Sequence, residues 1–308
     1  MKTLKITLSA VLALAALSPL SFAEGGKAVY GSDDRLDFFE APPEMRALAD
    51  SVVSFWDAAS VEPADPGEVK LKTGKLTDKF GGRNLCPDEK FQEQPIGASC
   101  SGALVGEDLV ITAGHCMKTE DDCKKTRIVF GYAVKEEGGG AVTTLPAGEV
   151  YGCAGIITRF MDGESGSYAP ADSRLSGADF ALIRLDRRAA GHKPLAINRG
   201  ADLRKGDGVF VIGHPSGLPL KAAGGAAVRG FAGGYFTADL DIFHGNSGSP
   251  VFNSGTGLIE GLVARNDVLD FNLSPAGCVI TATHAQTEEP NNDISRIAVL
   301  SDFIPELK

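Results

Sequence analysis

From about residue 80 onward the chain is cut into short apolar runs by Gly, Asp, Asn and Pro. They read SGALV, DLVITAG, RIVFGYAV, TTLPAGEVYG, AGIITRF, DFALIRL, GVFVIG, AAVRGF, GYFTADL, SPVFN, LIEGLVA and CVITATH. Each has the length of a strand and is too short for most helices. An alternating α/β unit needs a helix between successive strands, and no helix-length segment separates these. The pattern instead demands antiparallel sheets closed into barrels or stacked as a sandwich, an all-β fold.

Helical spacing is confined to the two flanks of this region. In PPEMRALADSVVSFWDAA, Met45, Leu48, Ala49, Val52, Val53 and Trp56 fall on one helical face, with Pro42 and Pro43 at its start. The tail NDISRIAVLSDFIPEL shows similar spacing through Ile294, Ile297, Leu300 and Ile304, which predicts a C-terminal helix. MKTLKITLSAVLALAALSPLSFA has the layout of a secretory signal: Lys2 and Lys5, an apolar run, then small residues ending at Ala23. The expected organisation is a signal peptide over 1–23 and a helical N-terminal extension or propeptide over 24–80. A β-domain follows over 81–308. An extension of this kind is either trimmed, as in a zymogen, or retained as a brace, and the residues do not separate the two.

Cleavage after Ala23 predicts an exported protein, secreted or periplasmic, with no membrane anchor in the mature chain. Of the 30 basic residues, Lys2 and Lys5 leave with the signal; 28 then face 40 acidic ones, a net charge near −12. That sign argues against nucleic acid or an anionic membrane as partner. Six cysteines remain: Cys86, Cys100, Cys116, Cys123, Cys153 and Cys278. An even number in an exported chain favours disulfides, although six cysteines allow fifteen connectivities. No CxxC pair occurs, and His192, His214, His244 and His284 are scattered, so no metal site or other cofactor is expected.

Three residues, in chain order, carry the chemistry. His115 lies in CSGALVGEDLVITAGHC, Asp179 heads DFALIRL, and Ser247 sits in DIFHGNSGSPVFN. Taken singly they read as a structural histidine, a strand cap and a tight turn. Together they meet a stricter requirement. A hydroxyl is a weak nucleophile unless a base adjoins it, and that base needs a buried acceptor to fix its tautomer. Glycines at 245 and 248 let the backbone approach a substrate closely. The N–H groups of Gly245 and Ser247 can then converge on a developing oxyanion.

In these boxes the chain resembles the chymotrypsin-like serine proteases over about residues 97–308. The Cys-Ser-Gly run, Thr-Ala-Gly-His-Cys, Asp-Phe-Ala-Leu-Ile and Gly-Asn-Ser-Gly-Ser-Pro occur in the family's order. Within the family it is most similar to the bacterial group of V8 and other glutamyl endopeptidases, and VYGSDDR is similar to the mature N-terminus of some of them. The resemblance implies two six-stranded barrels, at about 81–190 and 191–308, with the site between them. It also implies a serine endopeptidase acting on protein or peptide substrates, expected as a monomer. His115 would be the general base, Asp179 its orienting acid and Ser247 the nucleophile. Cys100 and Cys116 are expected to bridge; for the rest the pairing expected is Cys123 with Cys153 and Cys86 with Cys278.

Departures from the family pattern bear on specificity. Trypsin-like zymogens carry Asp before the serine, which pairs with a freed α-amino group; Asn246 has no charge for such a pair. Glutamyl-specific relatives place a histidine where Val263 stands. Asp241, six residues before Ser247, occupies the place of the acidic pocket floor of trypsin-like enzymes, or else serves structurally by bonding loop N–H groups. His244 and Arg265 are further candidates to line the pocket, Arg265 by neutralising Asp241 or by facing solvent. These residues favour cleavage after a basic residue, ahead of acidic, with small or apolar residues as the other option. Three rival classes remain, one of them a periplasmic chaperone-protease, for which little chain is left after the barrels to form a peptide-binding domain. A silent homologue acting as a binding protein usually lacks one of the three catalytic residues, and all are present here. An α/β-hydrolase orders its triad Ser, Asp, His and uses a GxSxG elbow, which GNSGS breaks.

Overall fold

A computed structural model describes residues 28–163, 173–200, 202–266, 269–290 and 292–307. The expected signal peptide therefore lies outside the described residues. Six strands close into the first barrel: β1 (Val52–Asp57), β2 (Cys100–Gly106), β3 (Leu109–Thr112), β4 (Thr126–Val129), β5 (Val150–Met161) and β6 (Asp179–Leu185). Around the barrel they run β4-β5-β6-β3-β2-β1 and back to β4, every pair antiparallel. The second barrel comprises β7 (Gly208–Gly213), β8 (Lys221–Ala232), β9 (Tyr235–Ala238), β10 (Pro250–Asn253), β11 (Ile259–Asn266) and β12 (Asn292–Arg296). Its order is β7-β10-β11-β12-β9-β8, closed by pairing of β7 with the first half of β8. No helix among the described residues is long and apolar enough to cross a membrane.

Each barrel is filled by the inward side chains of its strands. Val53, Phe55, Leu104, Val110, Ile128 and Ile183 fill the first; Val211, Val228, Phe236, Val251, Val263 and Ile294 fill the second. A third cluster, including Val52, Ile111, Leu182, Ile212, Phe252 and Leu262, spans both barrels. Burying a side chain of this kind contributes about 1.5–3 kcal/mol, so this cluster fixes one barrel firmly against the other. The site formed where they meet inherits that rigidity.

The N-terminal region differs from the sequence expectation. Helix α1 covers only Pro43–Ala49. The Val52–Trp56 half of the expected helix is strand β1, the first strand of the first barrel. Two β-branched valines followed by Phe55 and Trp56 favour the pleated backbone. The alternation is hidden because both faces are buried: Val53 and Phe55 point into the barrel, while Trp56 packs outside it with Leu71 and Tyr132. The boundary at residue 80 is corrected accordingly, because removing 24–80 would open the first barrel. The region also reaches the second barrel. Arg35–Asp37 adds a strand along β8 with Lys221 opposite Asp37, and Val29–Tyr30 pairs with Thr283–His284.

The C-terminal helix is corrected too. The segment is strand β12 followed by a single 3-10 turn at Ile297–Leu300. Its helical spacing arose because Ile297, Leu300 and Ile304 all fold back onto the cluster between the barrels, while Ile294 points into the second barrel. The short helix α2 (Glu120–Lys125) was not anticipated. Its sequence signal is a capping box in which Thr119 and Asp122 satisfy each other's backbone N–H groups.

Candidate active site

All six cysteines are paired: Cys100 with Cys116, Cys123 with Cys153 and Cys86 with Cys278. The first of these ties β2 to the 3-10 turn Gly114–Cys116 that carries His115. Gly114 is required in that turn: a Cβ there would strike the carbonyl of Phe160 and the Asp179 carboxylate. Asp179, at the head of β6, is 2% exposed. One carboxylate oxygen accepts the His115 backbone N–H at 3.0 Å, and the other lies 2.6 Å from His115 Nδ1. A carboxylate only accepts, so Nδ1 carries the proton and Nε2 is left with a lone pair. Ser295 of β12 holds Asp179 from the second barrel, its Oγ accepting the Asp179 N–H at 2.8 Å.

The loop His244–Gly248 belongs to the second barrel and meets the His115 turn through β2. The Ser247 carbonyl accepts the Ser101 N–H at 2.8 Å and lies 3.8 Å from Cys116 Sγ, next in sequence to His115. The Ser247 hydroxyl makes no hydrogen bond to His115 among the described residues. Gly248, at φ +81°, lies so close to the Ser101 carbonyl and Thr112 that no side chain fits. The His244 carbonyl accepts the Ser216 N–H at 2.6 Å, and the Asn246 carbonyl accepts the Ser249 N–H at 2.8 Å. In a trans peptide the N–H points opposite to the C=O. Both carbonyls are pinned inward, so the N–H groups of Gly245 and Ser247 face the other way, and neither has a partner among the described residues. Two unpaired donors in one short loop are suited to an oxyanion. Asn246 is buried, and its side-chain oxygen accepts the Ser249 hydroxyl at 3.1 Å. That contact is a neutral hydrogen bond, not an ion pair.

The specificity candidates are distributed differently from expectation. Asp241 is 4% exposed, and its two oxygens accept the N–H groups of Tyr30 and Asp34, each at 2.9 Å. Burial pushes its carboxyl up to about 7, against the opposing pull of those two bonds. The expected role as a pocket floor awaiting a cationic substrate is thus corrected, since the acceptors are occupied by the chain's own N-terminal segment. That segment is inserted in the second barrel: the Val29 N–H bonds the Ala282 carbonyl at 3.0 Å, and the Ile242 N–H bonds the Ala28 carbonyl at 3.1 Å. Arg265 neither neutralises Asp241 nor stands free in solvent. It pairs with Asp293 at 2.9 Å and donates to the Gly177 carbonyl at 2.8 Å. Val263 is packed in the second barrel's core. His244 is the one exposed candidate, its side chain 67% accessible, with Nδ1 3.0 Å from Asp270. That hydrogen bond raises the imidazole above its ordinary range.

Sequence reasoning passed over Ser101, His214, Ser216, Asp270 and the Tyr30–Asp34 segment as parts of this site. Ser101 and the HPSG turn carry weak signals, a serine beside a bridged cysteine and a Pro-Gly turn. Their role depends on contacts between barrels that no local pattern encodes.

A family model described as trypsin-like peptidase domain matches residues 100–262, more than half of the chain. No curated protein matches it. Among solved structures the chain is similar to a Glu endopeptidase in complex with MPD, at 15% identity and a TM-score of 0.49, covering 90% of this chain and 97% of that one. Human heparin binding protein is similar at 17% identity and a TM-score of 0.46, covering 90% and 94%. The VesB protease of Vibrio cholerae is similar at 13% identity and a TM-score of 0.47, covering 90% and 67%.

Proposed function

This chain belongs to the trypsin-like peptidase domain family, and we propose that it is an exported serine endopeptidase working through His115, Asp179 and Ser247. The observation that carries the reading is the 2.6 Å contact from His115 Nδ1 to buried Asp179, set beside a loop with two unpaired N–H groups. His115 Nε2 takes the proton from Ser247 Oγ as that oxygen attacks the scissile carbonyl. The carbonyl oxygen becomes an oxyanion held by the N–H groups of Gly245 and Ser247. Collapse breaks the C–N bond, and His115 returns the proton to the leaving amine. Water then attacks the acyl-enzyme by the same route and frees Ser247. Asp179 keeps the ring oriented and stabilises the imidazolium formed at each step. Three disulfides suit an oxidising compartment, which supports export.

The residue cleaved after is small or apolar in this reading. A substrate Arg or Lys finds Asp241 already bonded, and a substrate Glu finds Val263 where a cation would be needed. A charge desolvated without a partner costs several kcal/mol, enough to disfavour both. The test is a cleavage-site profile of the exported protein on a denatured protein mixture, read by mass spectrometry, with kcat/KM on matched Ala, Arg and Glu peptides. Cuts after small or apolar residues are expected. A preference for Arg or Glu overturns the specificity, and no cleavage by folded protein overturns the function.

A further inference from the structure

Four consecutive carbonyls of the loop that carries Gly245 and Ser247 are each held by a donor: His244 by the Ser216 N–H at 2.6 Å, Gly245 by the Ser101 hydroxyl at 2.8 Å, Asn246 by the Ser249 N–H at 2.8 Å and Ser247 by the Ser101 N–H at 2.8 Å. Ser101 supplies two of the four. It comes from β2 of the first barrel, whereas the loop belongs to the second. The same Ser101 Oγ accepts the His214 N–H at 2.9 Å, and His214 begins the turn whose Ser216 N–H holds the His244 carbonyl. Ser101 is fully buried, and its own carbonyl is fixed by the Thr112 hydroxyl at 2.8 Å.

The His214–Gly217 turn is strained and needs outside support. Ser216 has φ +56°, a region that L-residues other than Asn and Asp rarely occupy. Its hydroxyl and His214 Nε2 are both buried without a partner among the described residues. At its His214 end the turn is held by the Ser101 bond to the His214 N–H, a bond from His214 Nδ1 to the Leu218 carbonyl at 3.1 Å and stacking of the ring on Tyr132, and at its Gly217 end by the Gly97 N–H on the Gly217 carbonyl at 2.9 Å. Burial drives the imidazole down to about 3, so it stays neutral and its Nδ1–H remains a donor.

We infer that Ser101 is a positioning residue, a clamp from the first barrel that sets the direction of the Gly245 and Ser247 N–H groups in the second. The inference rests on the protease reading above. Without the Ser101 hydroxyl, the Gly245 carbonyl and the His214 N–H both lose their partner inside the protein. A buried polar group seeks a new partner, and the loop reaches one only by rotating its peptides. Relaxation of the strained turn draws the Ser216 N–H away from the His244 carbonyl, and the His244–Gly245 peptide then rotates and redirects the Gly245 N–H. Substrate contacts outside this loop are unaffected, so the damage falls on the step in which the oxyanion forms.

The experiment compares wild type, Ser101→Ala and Ser101→Thr on one peptide amide. It also measures the affinity of each for the matching peptide aldehyde, which forms a tetrahedral adduct, and for the product acid. Removing one oxyanion donor outright costs about 10²–10³ in kcat, so its misdirection is expected to lower kcat about tenfold or more. Aldehyde affinity should fall in parallel, with KM and product affinity within about twofold, while Ser101→Thr retains activity because it keeps the hydroxyl. A folded Ser101→Ala with wild-type kcat and aldehyde affinity overturns the clamp, as does a loss confined to KM. If Ser101→Ala does not fold, Thr112→Val removes the next bond outward while keeping volume, and a kcat-only loss of about threefold is expected; wild-type kinetics there overturn the clamp. An inactive wild type that does not react with a fluorophosphonate is a separate failure, that of the protease reading.

Discussion

Asp179 and Asp241 are both buried aspartates in this molecule, 2% and 4% exposed, and each uses both carboxylate oxygens. Asp179 belongs to the first barrel and grips His115, one oxygen on the ring and one on the backbone. Asp241 precedes the Ser247 loop of the second and grips the backbone of Tyr30 and Asp34. The first orients a group that can move a proton. The second fastens a chain segment. Equal burial and equal hydrogen-bond number therefore say little about role, which the partner decides.

The largest effects should come from the Asp179 side of this comparison. Ser247→Ala and His115→Ala should each leave folded protein with hydrolysis lowered by roughly 10⁴–10⁶, and the double variant should be no worse, because such residues act as a unit. Peptide hydrolysis above a tenth of wild type in either single variant would break the assignment. Asp179→Asn should lower kcat by roughly 10⁴ by favouring the wrong histidine tautomer, whereas Asp241→Asn should change kcat on an Ala peptide less than about tenfold. Comparable losses in the two would erase the distinction between orienting and fastening.

Stability should draw on both sides of the comparison. Opening the Cys100–Cys116 bridge by a double alanine substitution should cost about 3 kcal/mol in the chain-entropy description, with the His115 turn loosened. Denaturant unfolding checks it, and an unchanged midpoint would count against the bridge as the anchor of that turn. Asp241→Ala orphans the buried Tyr30 N–H and should cost about 1–3 kcal/mol. A protease that cuts the N-terminal segment should then act faster than on wild type.

Asp241 also makes a pH prediction. Its folded carboxyl is raised to about 7 from an ordinary value of 3.8. The folded protein then binds the proton more tightly than the unfolded chain. The stabilisation is complete below the unfolded value and is lost as pH rises through about 7, at up to about 1.4 kcal/mol per pH unit. Melting temperatures from pH 5 to 8 should fall less steeply in Asp241→Asn than in wild type. A wild-type slope retained in the variant would assign the dependence to another group.

The same contrast explains what could be read from the residues alone. The His115, Asp179 and Ser247 boxes were legible because their glycines, cysteines and neighbouring strands are local requirements, compressed into runs such as TAGHC and GNSGSP. A dozen strand-length runs made an all-β fold legible but left barrels and a sandwich open; the two barrels followed from the family resemblance of those boxes. Strand β1 was not legible, because Val52–Trp56 is buried on both faces, and its alternation vanishes into an apolar run broken only by the buried Ser54. The fate of Asp241 was hidden for another reason: its partners Tyr30 and Asp34 lie more than two hundred positions away and contribute backbone N–H groups, which leave no trace in residue type. Arg265 failed similarly, since its partner Asp293 lies on the neighbouring strand β12, to which no local pattern ties it.

The central claim is that Ser247 is a nucleophile made reactive by His115 and Asp179. Treating the folded wild-type protein with a fluorophosphonate and mapping the adduct by peptide mass spectrometry tests it most directly. The account predicts one adduct, on Ser247 Oγ, formed quickly in wild type and slowed by roughly 10³-fold or more in Asp179→Asn. No adduct on folded protein, or labelling spread over other serines with Ser247 unmodified, would contradict it and leave a binding protein on a protease scaffold as the better description.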